Sequence, residues 1–108
     1  MNENLESSIS KAIHDLVEVL EPKQVYLFGS CAKGEARADS DIDLLVVVPD
    51  NSGDKLNNTR KAYEATREIP FAKDIIVDHE SVFKKRSRWV SSIEREVLET
   101  GKLVYGRS

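Results

Sequence analysis

The sequence predicts an α/β (α+β) domain, a small mixed sheet with helices packed on one face. Apolar residues recur at helical spacing near both ends of the 108-residue chain. Between these stretches lie short runs rich in β-branched and aromatic residues, bounded by glycine, proline or polar segments. The resulting order is helix, strand, loop, strand, helix, strand, helix and a last short strand. Such an order requires helices to cover a sheet.

The first two elements are a long helix and a short strand. Residues 5–20 carry an apolar side chain every three or four positions, and Pro22 stands just beyond them as a stop signal. The run QVYLFG at 24–29 is β-branched and aromatic, and it stops at Gly29. We therefore expect the chain to turn directly from the helix into the sheet.

The next strand is DIDLLVVV at 41–48, after a turn and loop at 31–40 that are small or charged. Its first half alternates polar and apolar residues, and its second half is continuously apolar. The alternating half should lie near a rim and the apolar half in the middle of the sheet. Ile42 and Leu44 are expected to face the core.

The second half of the chain predicts two helices and two strands. Residues 54–68 indicate a weaker helix, and KDIIVD at 73–78 indicates a third strand. Apolar residues between 82 and 97 predict one further helix, which Gly101 closes as a C-terminal cap. The run KLVY at 102–105 predicts a last short strand.

Composition limits the classes of protein that this chain can be. A net charge of -3 makes nucleic-acid binding unlikely as a global property and gives no case for membrane affinity. One cysteine and two histidines exclude a disulfide framework and make a zinc site improbable. No apolar run reaches the roughly 18–20 residues of a membrane span. We expect a single domain over residues 1–108, in the cytoplasm.

Asp41 and Asp43 are the first candidate site residues. They are two apart in a strand and therefore point the same way. Adjacent carboxylates repel each other, and a divalent cation reverses that penalty. Mg²⁺ prefers oxygen ligands and is commonly held by one or two carboxylates plus substrate phosphates. When such a pair stands alone, a solvated strand end is the better explanation.

Gly29 and Ser30 strengthen the case for a phosphate ligand. Free backbone N–H groups where a strand ends and a helical turn begins favour an anion. Gly29 allows a phosphate to approach closely, and the Ser30 hydroxyl can donate a hydrogen bond to it. Phosphate donors beside metal-binding carboxylates indicate phosphoryl or nucleotidyl transfer.

The stretch GSCAKGEARADSDIDLLVVV at 29–48 resembles the signature of the minimal nucleotidyltransferases, members of the DNA polymerase β-like superfamily. The resemblance in length and element order covers nearly the whole chain and implies the nucleotidyltransferase fold. It implies that Gly29, Ser30, Lys33 and Ser40 bind the nucleotide. Lys33 departs from the family pattern, which commonly has arginine there, so the bidentate fork that matches phosphate is lost.

The resemblance also implies a third carboxylate on a strand beside Asp41 and Asp43. Asp74 and Asp78 share the same parity, so strand alternation cannot separate them. Asp78 precedes a helical stripe and can be interpreted as a turn or helix-cap residue. The family pattern, a hydrophobic strand with an early aspartate, favours Asp74.

The activity that the resemblance implies is Mg²⁺-dependent nucleotidyl transfer with a two-metal site held by Asp41, Asp43 and Asp74. The substrate would be ATP or another nucleoside triphosphate. The acceptor would be a partner helical protein of the HEPN type, encoded next to this chain, as in toxin–antitoxin pairs. The alternative is a non-catalytic antitoxin that neutralises its partner by binding. Transfer to a small molecule ranks lowest. A homodimer is possible for the isolated chain.

Three further features have ordinary explanations. Asp39 is interpreted as a solvated turn residue, and Cys31 as a small packing residue. The basic run KKRSR at 84–88 is either a solvated face or a contact with an acidic partner or RNA. Trp89 is in phase with the apolar stripe and is expected in the core. An exposed Trp89 would instead be a candidate interface anchor.

Overall fold

The computed structural model of the protein describes residues 2–35 and 40–106, and Asp39 lies outside these residues. Within the described residues, no helix is long and apolar enough to cross a membrane.

The predicted mixed α/β fold is confirmed. The helices and strands are α1 (Asn2–Leu20), β1 (Gln24–Phe28), β2 (Ile42–Val48), α2 (Lys55–Ala65), β3 (Lys73–His79), α3 (Glu80–Arg86), α4 (Ile93–Thr100) and β4 (Lys102–Gly106).

The four strands form one mixed sheet in the order β3-β2-β1-β4. β1 is antiparallel to both of its neighbours, whereas β2 and β3 are parallel. Antiparallel strands accept a short connection, but parallel strands need a long crossover, which α2 provides here. The third and fourth predicted strands are thus edge strands, and β2 lies inside the sheet.

One face of the sheet is covered by α1 and α2. Leu16 and Ala12 of α1 and Ala62 of α2 have no exposed surface and pack in a single apolar cluster with side chains from β1, β2 and β3. Ile42 and Leu44 belong to this cluster and are fully buried, which confirms their predicted orientation.

The opposite face is covered by α3 and α4, so the prediction that helices pack on one face only is wrong. Phe83 of α3 and Val97 of α4 form a second apolar cluster with Leu45 and Val47. The physical reason is the continuous apolar run of β2, which places apolar side chains on both faces. Leaving Leu45 and Val47 uncovered would expose both of them to water.

The predicted single helix over residues 82–97 is also wrong, because it divides into α3 and α4. Ser87 Oγ donates to the carbonyl oxygen of Lys84, and Ser92 Oγ accepts from the backbone N–H of Arg95 as the N-cap of α4. Serine competes for backbone groups in this way and favours helix ends. Trp89 is therefore half exposed rather than in the core.

Asp78 is a buried residue of β3, which corrects its interpretation as a turn or cap residue. Lys55 Nζ donates to Asp78 Oδ1 at 3.3 Å, while no donor in the described structure reaches the buried Oδ2. Burial and then the neighbouring Glu94 raise the pKa of Asp78 to about 6. Burial alone would raise the pKa of Glu94, but hydrogen bonds from Asp78, its own backbone and Arg86 lower it. Asp78 therefore holds its proton to a higher pH than an ordinary aspartate does.

This carboxyl pair should make stability depend on pH. The pKa of Asp78 is about 6 in the fold, above the ordinary aspartate value of 3.8, so between these pH values the folded protein holds a proton that the unfolded chain has lost. The free energy of unfolding should fall by up to about 3 kcal/mol as pH rises from 4 to 7. In Asp78→Asn, which has no carboxyl proton to lose, this decrease should be absent in urea unfolding at pH 5, 6 and 7. An equal decrease in the free energy of unfolding of Asp78→Asn would show that Asp78 is not the group responsible.

Candidate active site

The end of β1 forms a tight turn around Gly29. Residues Gly29–Cys31 make one turn of 3-10 helix, and Gly29 has a φ of +73°. The Gly29 carbonyl oxygen accepts from the N–H groups of Ala32 and Lys33 at 3.2 and 3.3 Å. This left-handed conformation is open to glycine and strained for other residues. It leaves Ser30 half-buried and Lys33 exposed at the rim.

Gly29 packs directly against Asp43. The antiparallel register of β1 and β2 pairs Phe28 with Asp43, which brings the next residue beside that carboxylate. A Cβ atom added to Gly29 would lie 2.2 Å from Asp43 Oδ2, well inside the contact limit. The absence of a side chain at Gly29 is therefore what makes room for the Asp43 carboxylate.

Asp43 and Asp74 are partners in the parallel register of β2 and β3. Neighbouring strands are about 4.8 Å apart, and the two residues project from the same face, the one covered further along by α3 and α4. Asp78 is paired instead with Val47, about 13 Å further along the strand. The structure thus brings Asp74 to Asp43 and places Asp78 elsewhere.

Asp41 lies immediately before β2 and is exposed. Cys31 Sγ donates to its backbone carbonyl oxygen at 3.4 Å, which links the Gly29–Cys31 turn to the start of β2. Cys31 packs against the apolar cluster, which confirms its interpretation as a packing residue, and its thiol in addition contacts this backbone. Spacing gave no signal for this contact, since ten residues separate the two positions.

The site is strongly acidic. Burial, then Asp74 and then Asp41 raise the pKa of Asp43. Burial, then Asp43 and Asp41, likewise raise the pKa of Cys31. Seven ion pairs join other residues, but none of the lysines and arginines in residues 2–35 and 40–106 pairs with any of these three aspartates. Among the described residues, the three aspartates therefore repel one another with no paired lysine or arginine to offset the repulsion.

The donor atoms fit Mg²⁺, which takes carboxylate oxygens. Among the described residues, no group of three acidic, histidine or cysteine side chains is close enough to hold a metal ion by itself. Mg²⁺ does not require such a group, since one or two carboxylates together with substrate phosphates are its usual ligands. The carboxylates of Asp41, Asp43 and Asp74 are therefore suited to a cation that arrives with a phosphate.

Comparison with known proteins gives a consistent result. The sequence model of the family described as "Nucleotidyltransferase domain" matches residues 7–104. A protein of Methanocaldococcus jannaschii named as a protein adenylyltransferase is 33% identical over 101 residues, covering 88% of this chain and 96% of that protein.

Two solved structures share the fold. A nucleotidyltransferase structure from Sulfolobus solfataricus has a TM-score of 0.60 at 23% identity, covering 96% of this chain and 87% of that one. A toxin–antitoxin structure with AMP-PNP has a TM-score of 0.54 at 24% identity, covering 90% of this chain and 73% of that one. At this identity, the two structures support the fold alone.

The contact between Gly29 and Asp43 can be tested against a matched glycine. Gly34 also has a φ of +73°, but nothing lies within 4 Å of a Cβ built there. Both Gly29→Ala and Gly34→Ala carry the left-handed strain, and only Gly29→Ala adds the clash. We expect Gly29→Ala to lower the free energy of unfolding by about 1–3 kcal/mol more than Gly34→Ala in urea titrations. Equal decreases in the free energy of unfolding for the two variants would show that the contact between Gly29 and Asp43 does not affect stability.

Neutralising Asp43 should stabilise the fold. Because the pKa of Asp43 is raised, its ionised form is disfavoured in the folded protein at neutral pH. Asp43→Asn should raise the Tm at pH 7.5 by about 2–5 °C in buffer containing EDTA. The isosteric change Asp50→Asn should lower the Tm instead, because a hydrogen bond from Ser81 lowers the pKa of Asp50. A fall in Tm for Asp43→Asn would contradict the claim that Asp74 and Asp41 repel the Asp43 carboxylate.

Proposed function

This chain belongs to the nucleotidyltransferase domain family and is a nucleotidyltransferase enzyme, and from that premise we propose that it transfers AMP from ATP to a hydroxyl group of a partner protein. The observation that carries the proposal is the register of β2 and β3, which sets Asp43 beside Asp74 next to the Gly29 turn. Carboxylates for a cation and a turn that admits a phosphate then lie at one rim of the sheet.

The chemistry of the donor atoms suggests a role for each residue of the site. Asp41, Asp43 and Asp74 would hold Mg²⁺, which when bound neutralises phosphate charge and lowers the pKa of the attacking hydroxyl. Gly29 and Ser30 would contact the triphosphate through backbone N–H groups and a hydroxyl. Their contribution is to orient the α-phosphate toward the acceptor, since positioning accounts for much of such a rate enhancement.

Lys33 and Ser40 complete the proposed nucleotide site. Lys33 is exposed at the end of the turn, where a flexible ammonium can reach a phosphate as a point charge. Ser40 lies just before Asp41, at the entrance to β2. Neither position requires a particular base, so ATP is proposed from the adenylyltransferase relative and the AMP-PNP neighbour.

The chemical change is an exchange of one phosphorus–oxygen bond for another. The acceptor oxygen bonds to the α-phosphorus of ATP, and the bond from that phosphorus to the bridging oxygen of the β-phosphate breaks. Pyrophosphate leaves, and the hydroxyl proton passes to water or a carboxylate of the site. The product is an acceptor that carries AMP through a phosphodiester bond.

A protein acceptor is supported by two relatives. The Methanocaldococcus jannaschii protein is named as acting on proteins, and the AMP-PNP structure is of a toxin–antitoxin pair. We propose that residues 1–108 act as a single domain on a helical HEPN-type protein encoded beside this chain. In that pairing the modification would silence the partner, and this chain would be the antitoxin.

A second candidate is a non-catalytic antitoxin that neutralises its partner by occupying it. The observation that favours it is the exposure of Trp89 and Val90, which offers a binding surface whether or not transfer occurs. Neutralisation of the partner by Asp43→Asn without ATP would support this second function.

Transfer can be tested with three matched aspartate variants. With ATP labelled at the α-phosphate, Mg²⁺ and the purified helical partner, Asp43→Asn and Asp74→Asn should each lower transfer at least about 100-fold, since each removes several kcal/mol of charge stabilisation. Asp78→Asn removes the buried carboxyl that lies elsewhere on β3, and it should retain activity within about threefold. Tm values measured in parallel separate misfolding from lost chemistry.

Three results would contradict the proposal. Full transfer by Asp43→Asn would exclude the carboxylate site. Loss with Asp78→Asn but not with Asp74→Asn would assign the third carboxylate to Asp78. The proposal would also be contradicted if no label reached the partner and Mg²⁺ with AMP-PNP did not raise the Tm of the wild-type chain. Those two results together would show that the site does not bind a nucleotide.

A further inference from the structure

The turn between α3 and α4, Ser87–Ser92, exposes two large apolar side chains side by side. Trp89 is 50% exposed and Val90 is 85% exposed. Single exposed apolar residues are ordinary, whereas a tryptophan and a valine exposed together at one turn are a candidate interaction site. Lys85 and Arg88 flank them. These four residues are named here the Trp89 patch.

The turn is held in one conformation by its own hydrogen bonds. Ser92 Oγ lies 2.6 Å from the carbonyl oxygen of Arg86 and 2.9 Å from that of Trp89. The Arg86 guanidinium stands 5.2 Å from the centroid of the Trp89 ring, and its Nε donates to the buried Glu94 at 3.0 Å. Trp89 is thus exposed and yet fixed in place. A preorganised aromatic side chain loses little freedom when it binds.

The charges on the patch indicate the chemistry of its partner. Lys84 is paired with Glu80 at 3.7 Å, whereas Lys85 and Arg88 have no ion-pair partner in the described parts of the chain. They are local cations on a chain of net charge -3. An acidic protein surface with an apolar pocket complements this patch in both charge and hydrophobicity.

RNA fits the patch less well. Nucleic-acid binding draws its affinity from several phosphate contacts, and two uncommitted cations on an acidic chain supply few of them. Tryptophan and arginine together are instead the residues most enriched at the energetic centres of protein interfaces. The observations therefore favour a protein.

We propose that the Trp89 patch is the surface on which the acceptor protein docks, an inference that rests on the proposed function for the identity of that protein. The acceptor would receive Trp89 and Val90 in an apolar pocket rimmed by acidic side chains. α3 and α4 cover the same face of the sheet from which Asp43 and Asp74 project. The turn lies toward the Asp78 end of β3, because Arg86 and Glu94 on either side of it lie near Asp78. An acceptor docked there would extend about 13 Å along this face to reach Asp43 and Asp74.

Trp89 itself provides a direct reporter, because it is the sole tryptophan among the 108 residues. The chain labelled with 5-fluorotryptophan should show one ¹⁹F signal, and this signal should shift when the unlabelled helical partner is added without ATP. Trp89→Ala should raise the Kd for the partner at least about 10-fold. Leu56→Ala removes a side chain that is 72% exposed on α2, across the sheet, and should change the Kd less than about twofold.

The charges are tested separately. Lys85→Glu combined with Arg88→Glu should weaken binding about 10-fold and reduce its dependence on salt. Lys61→Glu, an exposed charge reversal on α2, is the control and should have little effect. Tm values within about 2 °C of the wild type would show that these surface variants fold.

The outcomes separate docking from chemistry. Asp43→Asn should bind the partner with unchanged Kd while losing transfer, and Trp89→Ala should raise the KM for the partner with little change in kcat. A ¹⁹F signal or Kd that the partner and Trp89→Ala leave unchanged would overturn the docking inference, even if transfer is confirmed. Docking without any transfer would overturn the proposed function alone. Tight binding of a 20-nucleotide RNA that Trp89→Ala abolishes would assign the patch to nucleic acid and overturn the inference as well.

Discussion

The parallel pairing of β2 with β3 is the constraint on which the rest of this structure depends. It sets Asp43 and Asp74 side by side, and it can form only because α2 crosses over one face of the sheet. The same pairing requires β2 to be apolar on both faces, since it lies between two other strands under two layers of helix. The acidic start of β2 is the part of that strand that does not need helices packed over it.

Placing the carboxylates together works against folding. The ionised forms repel one another at the rim, and the described part of the chain offers no lysine or arginine to pair with them. The protein manages its other buried acids differently. Asp78 accepts a hydrogen bond from Lys55 and Glu94 accepts one from Arg86, so part of the cost of their burial is compensated within the fold. Within the described residues, the three aspartates of the proposed nucleotide site lack a paired lysine or arginine, as expected where a cation is to bind.

The division of the last helical stripe has a second consequence. Serine side chains end α3 and begin α4, and the intervening turn lifts Trp89 out of the apolar layer. Phe83 and Val97, on either side of the break, still cover the second face of the sheet. The core is thus completed by two short helices, while an exposed and ordered tryptophan remains free for another use.

The sequence by itself determined the strands, the long first helix and the aspartate motif, because apolar periodicity and turn residues act over a few positions. It could also place Ile42 and Leu44 in the core, since alternation along a strand is local. It could not separate Asp74 from Asp78, which have equal parity, nor foresee the contact of Cys31 with the Asp41 backbone. Strand register, the use of both sheet faces and the exposure of Trp89 were decided only by the tertiary structure. Each of these depends on which distant segments meet, and no local pattern encodes that.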